Sequence, residues 1–420
     1  MTAVAFIGGA GCGKAYQLME ALSAHLVDVP LGEHQKALAL TFMHGSRRRL
    51  DERLSALPVL RNRYECTTLD SFAWRLVRRR RTIIEELGLH FPNPEDYDVL
   101  SATAATLLRL QTIGRWVAST FPVFLLDEAQ DLTVSRLDMI RALSDHAKLI
   151  VAADEFQCLD EALRPNPACV WISKAIGPQE LAVSHRTAVP ALLNAAQAVR
   201  AGQAPVFERT RFVQALTPNA ALAGTFTANA LGWYGVSDAA IITPSINKFA
   251  QDVVAWVQAN RTRHNNGPYL IDIEQSERQL VETCLGQITF EGTVSLNVAA
   301  DAVRLCGDPY IAGEATRWMD RQRRTKDRVE LSRVELEDLI RRLFSARRRI
   351  RGGAASFARL INVHGAKNRE FKNVIVLWPA AVGGTDEQRR RLFYNAITRA
   401  KAHCTVLVQA KVSLSKAPFV

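Results

Sequence analysis

A loop built to hold phosphates lies near the start of the chain. Gly8-Gly9-Ala10-Gly11-Cys12-Gly13-Lys14 follows the apolar run Val4-Ala5-Phe6-Ile7, and that succession reads as a strand turning through a phosphate-binding loop into a helix. Small residues let the backbone wrap the anion, the amides of the first helical turn point at it, and Lys14 adds a cation for the outer phosphates. Nucleoside triphosphate hydrolysis is the chemistry implied. Ala15 departs from the pattern, which wants a Ser or Thr hydroxyl there to reach magnesium. Farther on, Val123-Phe124-Leu125-Leu126-Asp127-Glu128-Ala129-Gln130-Asp131 is an apolar strand ending in adjacent acids. Asp127 suits the magnesium shell, and Glu128 suits a general base that polarises the attacking water.

Positioning these groups requires strands that end at one edge. Apolar runs at Val4–Ile7, Ala37–Phe42, Val123–Leu126 and Leu149–Ala152 alternate with helical stretches, the pattern of a parallel sheet with helices on both faces. A second set, Ala239–Thr243, Arg359–Val363, Val374–Leu377 and Thr405–Val408, predicts a second lobe. The expected fold is therefore α/β: two lobes of parallel sheet flanked by helices, with small, mainly helical accessory insertions. The first lobe is expected over 1–184 with an insertion at about 75–120. The second is expected over 185–255 plus 354–420, interrupted by an accessory insertion at 256–353. Within that insertion Val334, Leu336, Leu339, Ile340, Leu343 and Phe344 recur at helical spacing and predict its packing face.

The 420 residues carry a formal net charge of +11, which favours a polyanionic partner. The excess is concentrated: between Arg321 and Arg351 there are 12 Arg and Lys against five acids. A second cluster comprises Arg75 and Arg78 to Arg81. A charge run alone suits a solvated helix face; beside a triphosphatase core it points to nucleic acid. The seven cysteines have no short-spaced pairs, which predicts reduced thiols rather than a zinc site, an iron-sulfur cluster or a disulfide framework. No stretch reaches membrane-spanning length, and the apolar start runs into the loop without a basic flank or cleavage site. We therefore expect a cytoplasmic protein.

With these segments in order, the chain resembles a UvrD/Rep-type superfamily 1 helicase with RecA-like P-loop NTPase lobes. Asp127-Glu128-Ala129-Gln130-Asp131 is similar to the family's second motif. Leu40-Thr41-Phe42 begins a stretch similar to its first single-strand contact motif, although Met43-His44-Gly45 departs from the usual polar and basic ending. Thr68-Leu69-Asp70-Ser71-Phe72 resembles the next contact motif, with Asp70 in place of histidine. Ala153-Asp154-Glu155-Phe156-Gln157 is similar to the coupling motif, which implies that Gln157 senses the terminal phosphate. Ser184-His185-Arg186-Thr187 resembles Asn-Tyr-Arg-Ser, putting Arg186 on that phosphate and His185 where a ring stacks on the base. Val363-His364-Gly365-Ala366-Lys367-Asn368-Arg369-Glu370-Phe371 looks like the fifth motif, with Asn368 and Arg369 replacing Gly and Leu, and implies that Glu370 contacts the nucleotide sugar. Leu392-Phe393-Tyr394-Asn395-Ala396-Ile397-Thr398-Arg399-Ala400 closely matches the last motif and makes Arg399 a second arginine finger.

The resemblance implies ATP and Mg2+ as cofactors, with catalytic roles for Lys14, Asp127, Glu128, Gln157, Arg186 and Arg399. Gly9 to Ala15, His185 and Glu370 are then nucleotide contacts. It implies movement along single-stranded DNA, or DNA with a single-stranded tail, in the three-prime to five-prime direction. Phe42, Thr68, Phe72, His364 and the cluster Arg347, Arg348 and Arg349 are the candidate strand contacts. No glutamine-bearing segment precedes the loop, so the adenine-reading contact is expected to be missing, and no fused nuclease is expected after the last motif. The alternative is an NTP-gated DNA-binding switch, or a subunit of a repair or defence complex, that hydrolyses slowly and does not unwind alone. A viral-type RNA helicase fits the wording of the fifth and sixth motifs less well.

Overall fold

The computed structural model describes residues 3–42, 44–183, 185–274, 277–350 and 357–420; of these, the side chains of 44–46, 277–279 and 345–350 are outside the description. The chain divides into two compact units, residues 1–268 with 362–420, and residues 269–361. Among the described residues no helix is long and apolar enough to cross a membrane.

The first sheet contains β1 (Ala3–Gly8), β2 (Ala37–Thr41), β3 (Tyr64–Thr68), β4 (Val123–Leu126), β5 (Lys148–Ala153) and β6 (Gln179–Leu181). Its order is β3-β2-β4-β5-β1-β6, parallel throughout. Every residue of β2 and β4 is buried, which is why these segments read as unbroken apolar runs: helices cover both faces of a parallel sheet. On one face Leu18, Leu22 and Leu26 of the helix Lys14–Asp28 pack with Leu50 and Leu54 of the helix His44–Ser55. On the other, the helices Leu69–Arg78, Tyr97–Arg109 and Val134–Ser144 share one core, to which Leu76, Leu107 and Ile140 belong together with Phe124 of β4. The 75–120 segment thus contributes its apolar residues to the core of this lobe. Thr68, Asp96 and Thr133 cap those three helices through their side chains, which fixes where each begins.

The second sheet contains β7 (Phe212–Leu216), β8 (Ala239–Thr243), β9 (Ile271–Ile273), β12 (Ala358–Asn362), β13 (Phe371–Trp378) and β14 (Ala400–Val408), with the antiparallel pair β10 (Thr293–Ser295) and β11 (Glu330–Ser332) forming a small sheet of its own. Its order is β7-β14-β13-β8-β12-β9. Two six-stranded parallel sheets flanked by helices are thus present, the architecture of two RecA-like lobes.

Residues 269–361 pack helices around a core of their own. Leu336, Leu339, Ile340 and Phe344 of the helix Arg333–Ile350 are buried there, and Leu343 packs against them. Val334, expected in the same stripe, is 68% exposed. It precedes Leu336 by two positions, which at 3.6 residues per turn places it on the opposite face. The cysteine reading also needs correction. Cys284 and Cys306 form a disulfide with Cα atoms 4.6 Å apart. Their separation of 22 residues matches no short motif, so only the folding of two helix ends together pairs them. The other five cysteines are free thiols.

Candidate functional site

Strand β1 delivers Gly8 into a position where a side chain has no room: a Cβ would lie 2.5 Å from the Leu181 carbonyl and 2.6 Å from Cys12 Sγ. Gly11 and Gly13 have φ of 78° and 82°, left-handed values that turn the loop at little steric cost only for glycine. Lys14 then starts the helix, its Nζ donating to the carbonyls of Gly8 (2.9 Å) and Gly9 (2.8 Å) and lying 3.8 Å from Asp154 Oδ2. The ammonium is thereby held across the loop between Gly9 and Gly13. The His185 backbone N–H donates to Gly11 O at 2.6 Å, and its ring lies beside Gly13. His185 therefore borders the same loop.

Asp127 follows β4, and Glu128 follows with φ 60° and ψ 41°. That left-handed backbone is uncommon for a residue with a side chain and costs of order 1–3 kcal/mol. Burial and the neighbouring charge of Glu128 push the Asp127 carboxyl up to about 7, against the pull of Lys14. A divalent cation would reverse that shift. Among the described residues no group of three or more His, Cys, Asp or Glu is placed to hold a metal. Asp127, near enough to Lys14 to feel its charge, offers one carboxylate at the phosphate loop, a donor that suits magnesium, which keeps most of its waters and binds through one or two carboxylates and phosphate oxygens.

From Glu128 a chain of side chains crosses to the second lobe. Gln130 Nε2 donates to Glu128 Oε2 at 2.5 Å, and Gln130 Oε1 accepts the Asp154 backbone N–H at 2.9 Å. Asp154 Oδ2 accepts from Gln157 Nε2 at 2.7 Å, and Gln157 Oε1 accepts from Arg399 Nη2 at 3.3 Å. Arg399 is 1% exposed, and burial with the charge of Arg186 lowers its affinity for its proton. Arg186 donates from Nε to Glu370 Oε1 (3.0 Å) and from Nη1 to the Thr398 carbonyl (2.9 Å). Glu370 also pairs with Lys401 at 2.8 Å. Burial opposes its ionisation, but Arg186 and Lys401 prevail and hold the carboxyl at about 2.

Two further contacts join the halves of the site. The Ala10 N–H donates to Tyr394 Oη at 2.7 Å, and the Tyr394 ring meets Phe156 edge-on at 5.0 Å. Lys367 Nζ lies 2.8 and 2.9 Å from the Asp131 oxygens. Asn368, which stands where the family pattern has glycine, has φ 60°. Asparagine is among the few residues with a side chain that tolerate this backbone. A cavity of about 370 Å³ opens behind the loop, lined by Gly8, Gly9, Cys12, Asp154, Arg200 and Tyr394. Arg200 was not legible as a site residue, because no motif contains it; it donates to Asp154 Oδ1 at 2.7 Å. Gln130, Asp154 and Tyr394 stand inside the second, coupling and last motifs, where the sequence alone gives them no role.

The candidate strand contacts fare differently from one another. Thr68 Oγ1 accepts the Ser71 N–H at 3.2 Å as a helix cap and is buried. Phe72 corrects the expectation of a stacking ring: it is 3% exposed within the first lobe's core, because it faces inward on the helix Leu69–Arg78. Phe42 is half-buried with the Arg136 guanidinium 5.5 Å from its ring centre. Asp70, the replacement for histidine, accepts from the same Arg136 at 2.9 and 3.1 Å. His364 is exposed after β12. Ser184 and the side chains of Arg347, Arg348 and Arg349 lie outside the described residues.

Residues 357–407 match the family described as UvrD-like helicase C-terminal domain. No curated protein sequence matches the chain. Among solved structures, the arterivirus nonstructural protein 10 helicase aligns with 99% of this chain and 61% of its own length, at 11% identity and a TM-score of 0.37. The same arterivirus helicase solved with DNA aligns over 99% of this chain and 62% of its own, at 12% identity and a TM-score of 0.38. The chain thus spans less than two thirds of the length of these helicases.

Proposed function

We propose that this chain, a UvrD/Rep-like superfamily 1 helicase by its ordered motifs and its C-terminal domain match, hydrolyses ATP with Mg2+ to move along single-stranded DNA in the three-prime to five-prime direction. One observation carries the reading: Glu128, Gln130, Asp154, Gln157 and Arg399 form a continuous hydrogen-bonded line from the acid after β4 to the arginine before β14. A catalytic acid and an arginine so joined suit hydrolysis timed by lobe position.

In this reading the loop amides and Lys14 hold the outer phosphates. Magnesium, when bound, supplies positive charge to the phosphate oxygens beside Asp127. Glu128 takes a proton as the water oxygen bonds to the terminal phosphorus, and the bond from that phosphorus to the bridging oxygen breaks, releasing ADP and phosphate. Arg186 and Arg399 offset the charge spreading over the transferred group. Gln157 bridges Asp154 and Arg399, so a change at the terminal phosphate is felt in both lobes. The partner is single-stranded DNA or DNA with a single-stranded tail.

The test is hydrolysis by the purified chain with and without oligothymidine, paired with strand displacement on substrates tailed at either end. Stimulation together with displacement from a three-prime tail is expected. Ala15, which offers magnesium no hydroxyl, favours a second reading: an NTP-gated DNA-binding subunit of a repair or defence complex. Stimulated hydrolysis without displacement would select it.

A further inference from the structure

At the end of the first sheet opposite the phosphate loop, arginines and an exposed indole surround a recess of about 240 Å³. Leu76, Val117 and Phe121 form its floor, and Arg75, Arg79, Arg80 and Trp116 its rim. Its place follows from the strands. The Thr120 carbonyl accepts the Lys36 N–H at 2.9 Å just before β2 begins, and Phe121 stands two residues before β4. The phosphate loop, Thr68 and Asp127 all lie where their strands end. Asp127 stands six positions after Phe121, about 20 Å away at roughly 3.3 Å per residue. The recess is therefore separate from the nucleotide site.

Its chemistry is specific. Arg75 is engaged by Glu65, and Arg80 stacks on Trp116 with Cζ 4.5 Å from the ring centre. Arg81 pairs with Glu85 and covers Phe91. Arg78 and Arg79 are exposed, and neither has a side-chain partner among the described residues. Trp116 keeps 47% of its surface exposed despite Arg80. Arg79 on the rim with a partly exposed indole, and Arg78 exposed one residue before it in the chain, match the means by which single strands are held, phosphates on cations and bases on rings. A recess of this size takes one flat base; it is too small for a peptide helix.

We propose that this recess is a second single-strand contact, with one unpaired base against Trp116 and the flanking phosphates on Arg78 and Arg79. It rests on the nucleic-acid reading above and adds a site to it. A strand held there is anchored at the end of the first sheet opposite the phosphate loop while the motif-bearing end works on another stretch.

The test uses the full chain and fluorescent oligothymidine titrated across salt. Each phosphate contact to a single strand contributes about 0.7 to the slope of log affinity against log salt. The double variant Arg78→Ala/Arg79→Ala should therefore flatten the slope by about 1.4, and Trp116→Ala should weaken binding about tenfold through lost stacking. Hydrolysis without nucleic acid should remain unchanged in both, since neither change touches the nucleotide site. Unaltered slope and affinity would overturn the proposal. So would an equal loss on a blunt duplex, which offers no unpaired base, or a loss confined to a polyglutamate peptide. A wild-type chain that neither binds oligothymidine nor responds to it would overturn the functional reading itself; strand binding that is indifferent to the variants would overturn only this site.

Discussion

Arg186 and Glu370, 184 residues apart, meet as an ion pair with Nε 3.0 Å from Oε1. The family resemblance sends one to the terminal phosphate and the other to the sugar, yet here each orients the other. With Nε on Glu370 and Nη1 on Thr398 O, the guanidinium plane is fixed before any phosphate arrives, which lowers the cost of using it. Arg186→Ala should therefore lower kcat by about a thousandfold, as expected for an arginine finger, with KM changed only a few-fold. Arg186→Lys should not rescue it, because an ammonium cannot make the planar fork. Glu370→Gln should cost less, about tenfold in kcat, by loosening the fork. Raised KM with unchanged kcat in Arg186→Ala would remove the residue from the catalytic set.

Ala15 is the departure nearest the chemistry. On the proposed function, Asp127, phosphate oxygens and water supply what a hydroxyl at this position would have supplied. Ala15→Thr should lower the magnesium concentration for half-maximal hydrolysis and raise the rate. Magnesium titrations superimposable on those of the wild type would show that the ion is held by another ligand.

Asn368 takes up a left-handed turn beside Lys367 and the Asp131 pair. Asn368→Gly should be nearly neutral in stability. Asn368→Val should cost about 1–2 kcal/mol, because a β-branched side chain crowds that backbone. Urea denaturation of the three proteins compares them directly, and equal midpoints for Gly and Val would contradict the strain argument.

Much of this site was readable because its chemistry is local. A run of glycines before a lysine, or two acids after an apolar strand, predicts its local backbone within a few residues, and the strand ends, loop and helix start are found there. Contacts between distant segments left no such trace: Arg200 on Asp154 belongs to no motif, and Cys284 finds Cys306 only when two helix ends meet. Phe72 misled for a different reason. An aromatic residue at a helix start has the same sequence whether its ring faces the core or a base, and the amphipathic pattern around it decided for the core. The alternation of strands and helices fixed the two sheets, yet the edge order of the second rests on pairings that no single segment encodes.

Acid should loosen the unit formed by residues 269–361. Hydrogen bonds from Arg328 at 2.6 Å and from Ser332 hold the Glu335 carboxyl at about 2. A carboxyl depressed in the folded state contributes stability that is present above its unfolded value, about 4.3, and is lost as pH falls through the folded value. Its 43% exposure screens the pair, so the contribution is about 1 kcal/mol. Glu335→Gln should lower stability by that amount at neutral pH and by nearly nothing at about pH 2. Hydrogen exchange across this unit measures the difference, and an equal loss at both pH values would show that the effect is not the pair's charge.

On the proposed function, Glu128 is the base of a triphosphatase driven by single-stranded DNA. The most direct measurement is steady-state ATP hydrolysis by the wild type and Glu128→Gln, each with and without oligothymidine, alongside nucleotide binding. The wild type should be stimulated by the strand. Glu128→Gln should bind nucleotide normally and lose at least about a hundredfold in turnover, the scale of a general base. A variant that keeps more than about a tenth of wild-type turnover with the strand present, far above that scale, would contradict the account.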